Sequence, residues 1–102
     1  MLRLHKIQGH SLHPDFREGE FVLSAKVPFP SGRIKTGDVI VFTQSGYGKL
    51  IKRVNRVLGE GYAFDVRGTQ VESTDSRDFG PVQLEKLSGK VIWHIRRSDH
   101  QV

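Results

Sequence analysis

A chain of 102 residues with 36% hydrophobic and 26% charged side chains is one domain's worth of material, with a modest core and too much apolar content to be disordered. The absence of cysteine excludes disulfide frameworks, thiolate metal sites and cysteine nucleophiles, and the surplus of 16 Lys and Arg over 11 Asp and Glu, net +5, weakly favours anionic partners. No transmembrane helix is present, because the longest aliphatic or aromatic run, Val39 to Phe42, falls far short of the roughly 20 residues that cross a bilayer.

In chain order, Met1 to Lys6 lacks the apolar stretch of a secretory signal, and a single helical turn is expected near Ser11 to Phe16. Period-two alternation then marks strands at Phe21 to Lys26, Val39 to Thr43, Lys49 to Leu58 and Tyr62 to Arg67. A short helical segment around Val82 to Leu87 precedes a last strand, Lys90 to Arg96. The strands are separated by turn signals at Ser45-Gly46, Gly59-Glu60-Gly61 and Ser88-Gly89. No stretch keeps a 3.6-residue apolar period for three turns, so the expected fold is all-β. The aromatics Tyr47, Tyr62 and Trp93 fall on apolar strand faces and are expected in the core.

Three places depart from a plain sheet. In Lys49-Leu50-Ile51-Lys52-Arg53-Val54 the period-two rule puts Lys52 on the face of Leu50 and Val54. A lysine held there would be desolvated and neutral enough to act as a general base; the bland alternative is a lysine whose stem packs on the sheet while its head reaches water. Ser11 lies in Gly9-His10-Ser11-Leu12-His13-Pro14, a stiff bend that would expose a nucleophilic hydroxyl or simply form a turn. The stretch Glu72 to Gly80 crowds hydroxyls beside Asp75 and Arg77 and reads either as a solvated loop or as one whose hydroxyls orient a neighbouring amine. A metal site from His10 and His13 with His5 or His94 is a weak reading, since the zincin spacing and its Glu are missing.

Taken in order, Gly9-x-Ser11-x-x-Pro14, Gly37-Asp38-Val39-Ile40-Val41-Phe42, Ile51-Lys52-Arg53-Val54 and Ser73-x-Asp75-Ser76-Arg77-x-Phe79-Gly80 resemble the successive boxes of the signal peptidase I family, from about Ile7 to Ile92. The resemblance implies a compact β-barrel-like peptidase core, shared with the SOS-repressor peptidases, with at most one or two short helical turns. Residues 1–102 would form a single peptidase domain. It also implies a Ser-Lys dyad endopeptidase without a cofactor or metal. Ser11 would be the nucleophile and its backbone N–H the oxyanion donor; Lys52 would be the general base and Ser73 the hydroxyl that orients its amine. Asp75 and Arg77 would form a structural ion pair near the site.

The chain departs from the family at three points. Leu12 replaces the usual methionine, Thr69-Gln70 the usual Asp-Asn after Gly68, and Gly9 supplies no hydroxyl to the oxyanion hole. Only ten residues precede Ser11, where typical members carry a membrane anchor. The short form resembles the maturation proteases of nickel-type superoxide dismutase, which trim a precursor's N-terminal extension. The expected partner is therefore a protein precursor bound as an extended strand, in the cytoplasm, with neither nucleic acid nor integral membrane association. Two competing readings are a self-cleaving SOS-repressor-type peptidase and a small basic β-barrel that binds nucleic acid. The first is disfavoured by the Asp75-Ser76-Arg77 box and the missing DNA-binding domain. The second would need clustered Lys and Arg beside exposed aromatics.

Overall fold

Short runs of β-branched and aromatic residues, cut by glycine turns, cannot sustain helices and pair instead into strands. The computed structural model describes residues 2–9, 12–26, 33–69 and 74–96, and over these the chain forms seven strands. They are β1 (Leu2–Lys6), β2 (Phe21–Ala25), β3 (Val39–Gln44), β4 (Gly48–Leu58), β5 (Ala63–Arg67), β6 (Val82–Gln83) and β7 (Leu87–Ile95). All pair antiparallel in one sheet of order β1-β2-β7-β3-β4-β5-β6. A single helical turn, α1 (Ser76–Phe79), and two 3-10 turns at Gly59–Gly61 and Leu84–Lys86 complete the described elements. The all-β expectation is met.

The centre of the sheet is buried on both faces. On one side of β3 and β4 lies a core of Ile34, Ile40, Phe42, Val54, Phe64, Val66 and Val82; on the other Ile7, Leu12, Phe16, Val22 and Val39 pack together, with Ile51 against them. A continuous apolar run such as Val39 to Phe42 suits a strand covered on both faces, and all four residues are buried. Three register shifts, between Leu23 and Ser24 on β2, Val41 and Phe42 on β3, and Val54 and Arg56 on β4, bend the strands. The last resets the alternation: Val54 and Val57, three apart, both pack on the first core, while Asn55 and Arg56 are exposed.

Several expectations are corrected. β1 was not expected, because its pattern is inverted: His5 is buried, while Leu2 and Leu4 are 56% and 57% exposed. Only two residues form β6, too few for an alternation to register. The helical segment around Val82 to Leu87 reduces to the 3-10 turn, and Ser88-Gly89 is not a turn but part of β7. The aromatics are not core: Tyr47, Tyr62 and Trp93 are 51%, 67% and 65% exposed. In register, Trp93 sits beside Leu23, and Leu23 beside Leu4, so its surface neighbours are apolar rather than the Lys and Arg a nucleic-acid platform needs.

Gly89 is required by close approach. A Cβ there would lie 2.8 Å from the Ala25 carbonyl oxygen and 3.0 Å from Ser24 Oγ. Gly89→Ala is expected to cost about 1–3 kcal/mol as β2 is pushed from β7. Chemical denaturation checks this, and a variant as stable as the parent would mean the strands yield freely.

Candidate active site

Lys52 lies on β4 before the register shift, where strict alternation still holds. It stands between Leu50 and Val54 along the strand and opposite Ile40 across it, and is 3% exposed. Burial pushes its ammonium down from the ordinary 10.5, and Arg77 adds to the fall, while Asp75 and Asp78 pull the other way. A desolvated lysine on a sheet can give up its charge and accept a proton.

The acidic groups facing Lys52 are held by α1. Asp75 caps this turn: its Oδ1 accepts from the Arg77 backbone N–H at 3.0 Å and from Arg77 Nε at 2.9 Å, and its Oδ2 accepts from Arg77 Nη2 at 2.7 Å and from the Gly68 N–H at 3.0 Å. In return the Asp75 N–H donates to Asp78 Oδ2 at 3.1 Å. Burial alone would raise the fully buried Asp75 carboxyl, but the Arg77 guanidinium and the two backbone donors bring it from 3.8 to about 2. The ring of Phe79 anchors the turn edge-on to Phe42, 6.0 Å between centroids. Buried Ser76 accepts from the Val66 N–H at 2.8 Å, tying α1 to β5.

Ser11 and Ser73 lie outside the described residues, but their flanks are tied together. The Thr69 hydroxyl donates to the His13 carbonyl, linking the loop after β5 to the bend after Ser11. Thr69 thus has a part that the sequence did not reveal; its only signal was a departure from the family's Asp-Asn. Two further contacts fix the segment between that bend and β2. Phe16 stacks on His94 of β7 with centroids 4.3 Å apart, and the same His94 contacts buried Glu20 at 2.6 Å. Arg53, beside Lys52 on β4, reaches Asp15 at 3.0 Å and the Gly37 carbonyl at 3.0 Å.

A groove of about 550 Å³ runs past Lys52. Leu4 to Gln8 and Leu12 line one side, and Lys49 to Lys52 the other. Both sides offer open strand edges among the described residues: β1 pairs only with β2, and β5 pairs with β4 only from Arg53 onward, leaving Gly48 to Lys52 without a neighbour on that side. His5, on the groove wall, is buried; Nε2 lies 2.8 Å from Ser24 Oγ and Nδ1 lies 3.1 Å from Lys49 Nζ. Burial, then the charges of Lys49 and Arg3, lower its pKa. Of the suggested metal ligands, His10 is outside the described residues, while His5 and His94 have ring nitrogens engaged by these partners. Among the described residues no cluster of three or more potential ligands forms.

No described helix is long and apolar enough to cross a membrane. No curated protein matches the chain. The family described as "Signal peptidase, peptidase S26" matches residues 1–61, a stretch that contains the Ser11 bend, the Gly37 to Phe42 box and Lys52 but ends before Asp75 and Arg77. With more than half its length matched, and a sheet that buries a lysine beside an open groove, the chain belongs to the signal peptidase family, peptidase S26, and is a serine peptidase of the signal-peptidase type.

Proposed function

We propose that the protein is an endopeptidase that uses a Ser11–Lys52 dyad to remove an N-terminal extension from a protein precursor. Neutral Lys52 takes the Ser11 hydroxyl proton as the serine oxygen attacks the scissile carbonyl. The Ser11 backbone N–H donates to the oxyanion. The protonated amine then gives its proton to the leaving nitrogen, and water hydrolyses the acyl-enzyme, again with Lys52 as base. Ser73 orients the Lys52 amine, and the Asp75–Arg77 pair holds the loop that carries it. The observation that carries this reading is the 3% exposure of Lys52 among apolar neighbours, with its pKa lowered by that burial.

The precursor binds extended, adding backbone hydrogen bonds to the open edges of β1 and of β4 at Gly48 to Lys52. By resemblance the substrate is the precursor of nickel superoxide dismutase, and the reaction takes place in solution in the cytoplasm. Incubation with candidate precursors, followed by mass mapping of new termini, tests the activity. Cleavage at one site near the precursor N-terminus is expected, and intact precursors throughout would remove the reading. Fractionation of native cells tests the location: material retained on membranes through a high-salt wash, or activity only with added lipid, would contradict action in solution.

A further inference from the structure

The groove wall carries a polar chain, buried at His5 and Ser24 and exposed at Lys49, that the dyad does not use. A lysine ammonium is only a donor, so Lys49 Nζ donates to His5 Nδ1 at 3.1 Å, which fixes the neutral tautomer with the proton on Nε2, and that N–H donates to Ser24 Oγ at 2.8 Å. Ser24 is 1% and His5 5% exposed, and the lowered pKa of His5 preserves the lone pair that Lys49 needs. Among the described residues no carboxylate pairs with Lys49 or Lys6, and none lines the groove they share. Most surface lysines lose side-chain entropy on meeting an anion; this one is partly oriented before any ligand arrives.

We propose that Lys49, oriented by His5 and Ser24, is a specificity residue that reads an acidic side chain of the extended precursor. This rests on the peptidase reading above. Lys49 lies three positions before Lys52 on β4, about 10 Å along the strand at 3.3 Å per residue and on the opposite face, and an extended substrate alternates likewise, so the acidic side chain sits about three residues from the scissile bond. An ammonium meeting a carboxylate in a partly walled groove forms a charge-assisted hydrogen bond, stronger than a neutral one.

The test uses the full chain and peptides spanning the cleavage site, with Asp, Asn or Lys placed two, three or four residues to either side of it. The expected result is a kcat/KM about tenfold higher for Asp than for Asn at one of these positions, falling as salt is raised. Lys49→Met brings the Asp-to-Asn ratio near one. Lys49→Glu inverts it in favour of Lys, which a merely structural lysine would not do. His5→Phe reduces the ratio by freeing Lys49. Lys86→Met, in the remote 3-10 turn, leaves it as in the parent. Cleavage of Asn and Asp peptides at equal rates, or a Lys49→Glu protein with the parent's preference, overturns the proposal while leaving the peptidase reading intact. No cleavage of any peptide overturns both.

Discussion

Lys52→Met is expected to lower kcat/KM on the precursor by at least about 10³-fold while leaving the protein folded, and Ser11→Ala is expected to do the same. The two act as one unit, so the double variant should be little worse than either single one. Methionine is close to lysine in volume and has no charge to desolvate, so among Leu50, Val54 and Ile40 it should fit at least as well as the amine. Peptide cleavage read beside thermal melting separates the outcomes. A Lys52→Met protein that keeps most of its activity would end the dyad assignment, and one that unfolds would show that the amine has structural work in the sheet.

The same residue gives a pH signature. The folded state holds the Lys52 proton less tightly than the unfolded chain, so between the lowered pKa and 10.5 the unfolded state binds more protons. Parent stability therefore rises with pH across that window. Lys52→Met has no such rise, and its stability advantage over the parent should be largest below the lowered pKa and vanish above 10.5. Activity should rise along a limb set by the same amine, at a pH below that of a free lysine.

What the sequence discloses depends on where its simple periodicities survive. Lys52 was legible because nothing disturbs the alternation from Lys49 to Val54; one residue later the register shift puts Val57 on the face the alternation would deny it. β1 was illegible for the opposite reason, since it buries a histidine and exposes two leucines, and the burial of His5 is explained by long-range bonds to Ser24 and Lys49. Trp93 misled for the reason that hid Val57: Val91 packs on the second core, but the register shift between Val91 and Trp93 leaves Trp93 exposed on the other face. The resemblance implied the Asp75–Arg77 pair, but not the Gly68 N–H that joins them, because that contact depends on how β5 ends beside α1. The His5–Lys49 bond spans 44 residues and carries no local signal.

Arg77→Ala is expected to destabilise the protein toward acid and to move the activity limb to higher pH. In the parent, Asp75 has its carboxyl at about 2 against an ordinary 3.8, so the stability it contributes is fully present above the ordinary value and is lost as pH falls through about 2. Without the guanidinium, only the two backbone donors oppose burial, the Asp75 carboxyl rises, and acid unfolding begins at a higher pH. The effect on Lys52 has the same sign from two sources. Arg77 itself lowers the Lys52 pKa, and Asp75, which raises it, acts unshielded once Arg77 is gone. Asp75→Ala goes further, removing the α1 cap and leaving the Gly68 N–H and Arg77 without their acceptor, at a cost of about 2 kcal/mol or more. Acid titration by circular dichroism and the pH dependence of kcat/KM test both halves. An Arg77→Ala protein with the parent's acid midpoint and the parent's limb would mean that Arg77 is a solvated side chain with no hold on either carboxylate or amine.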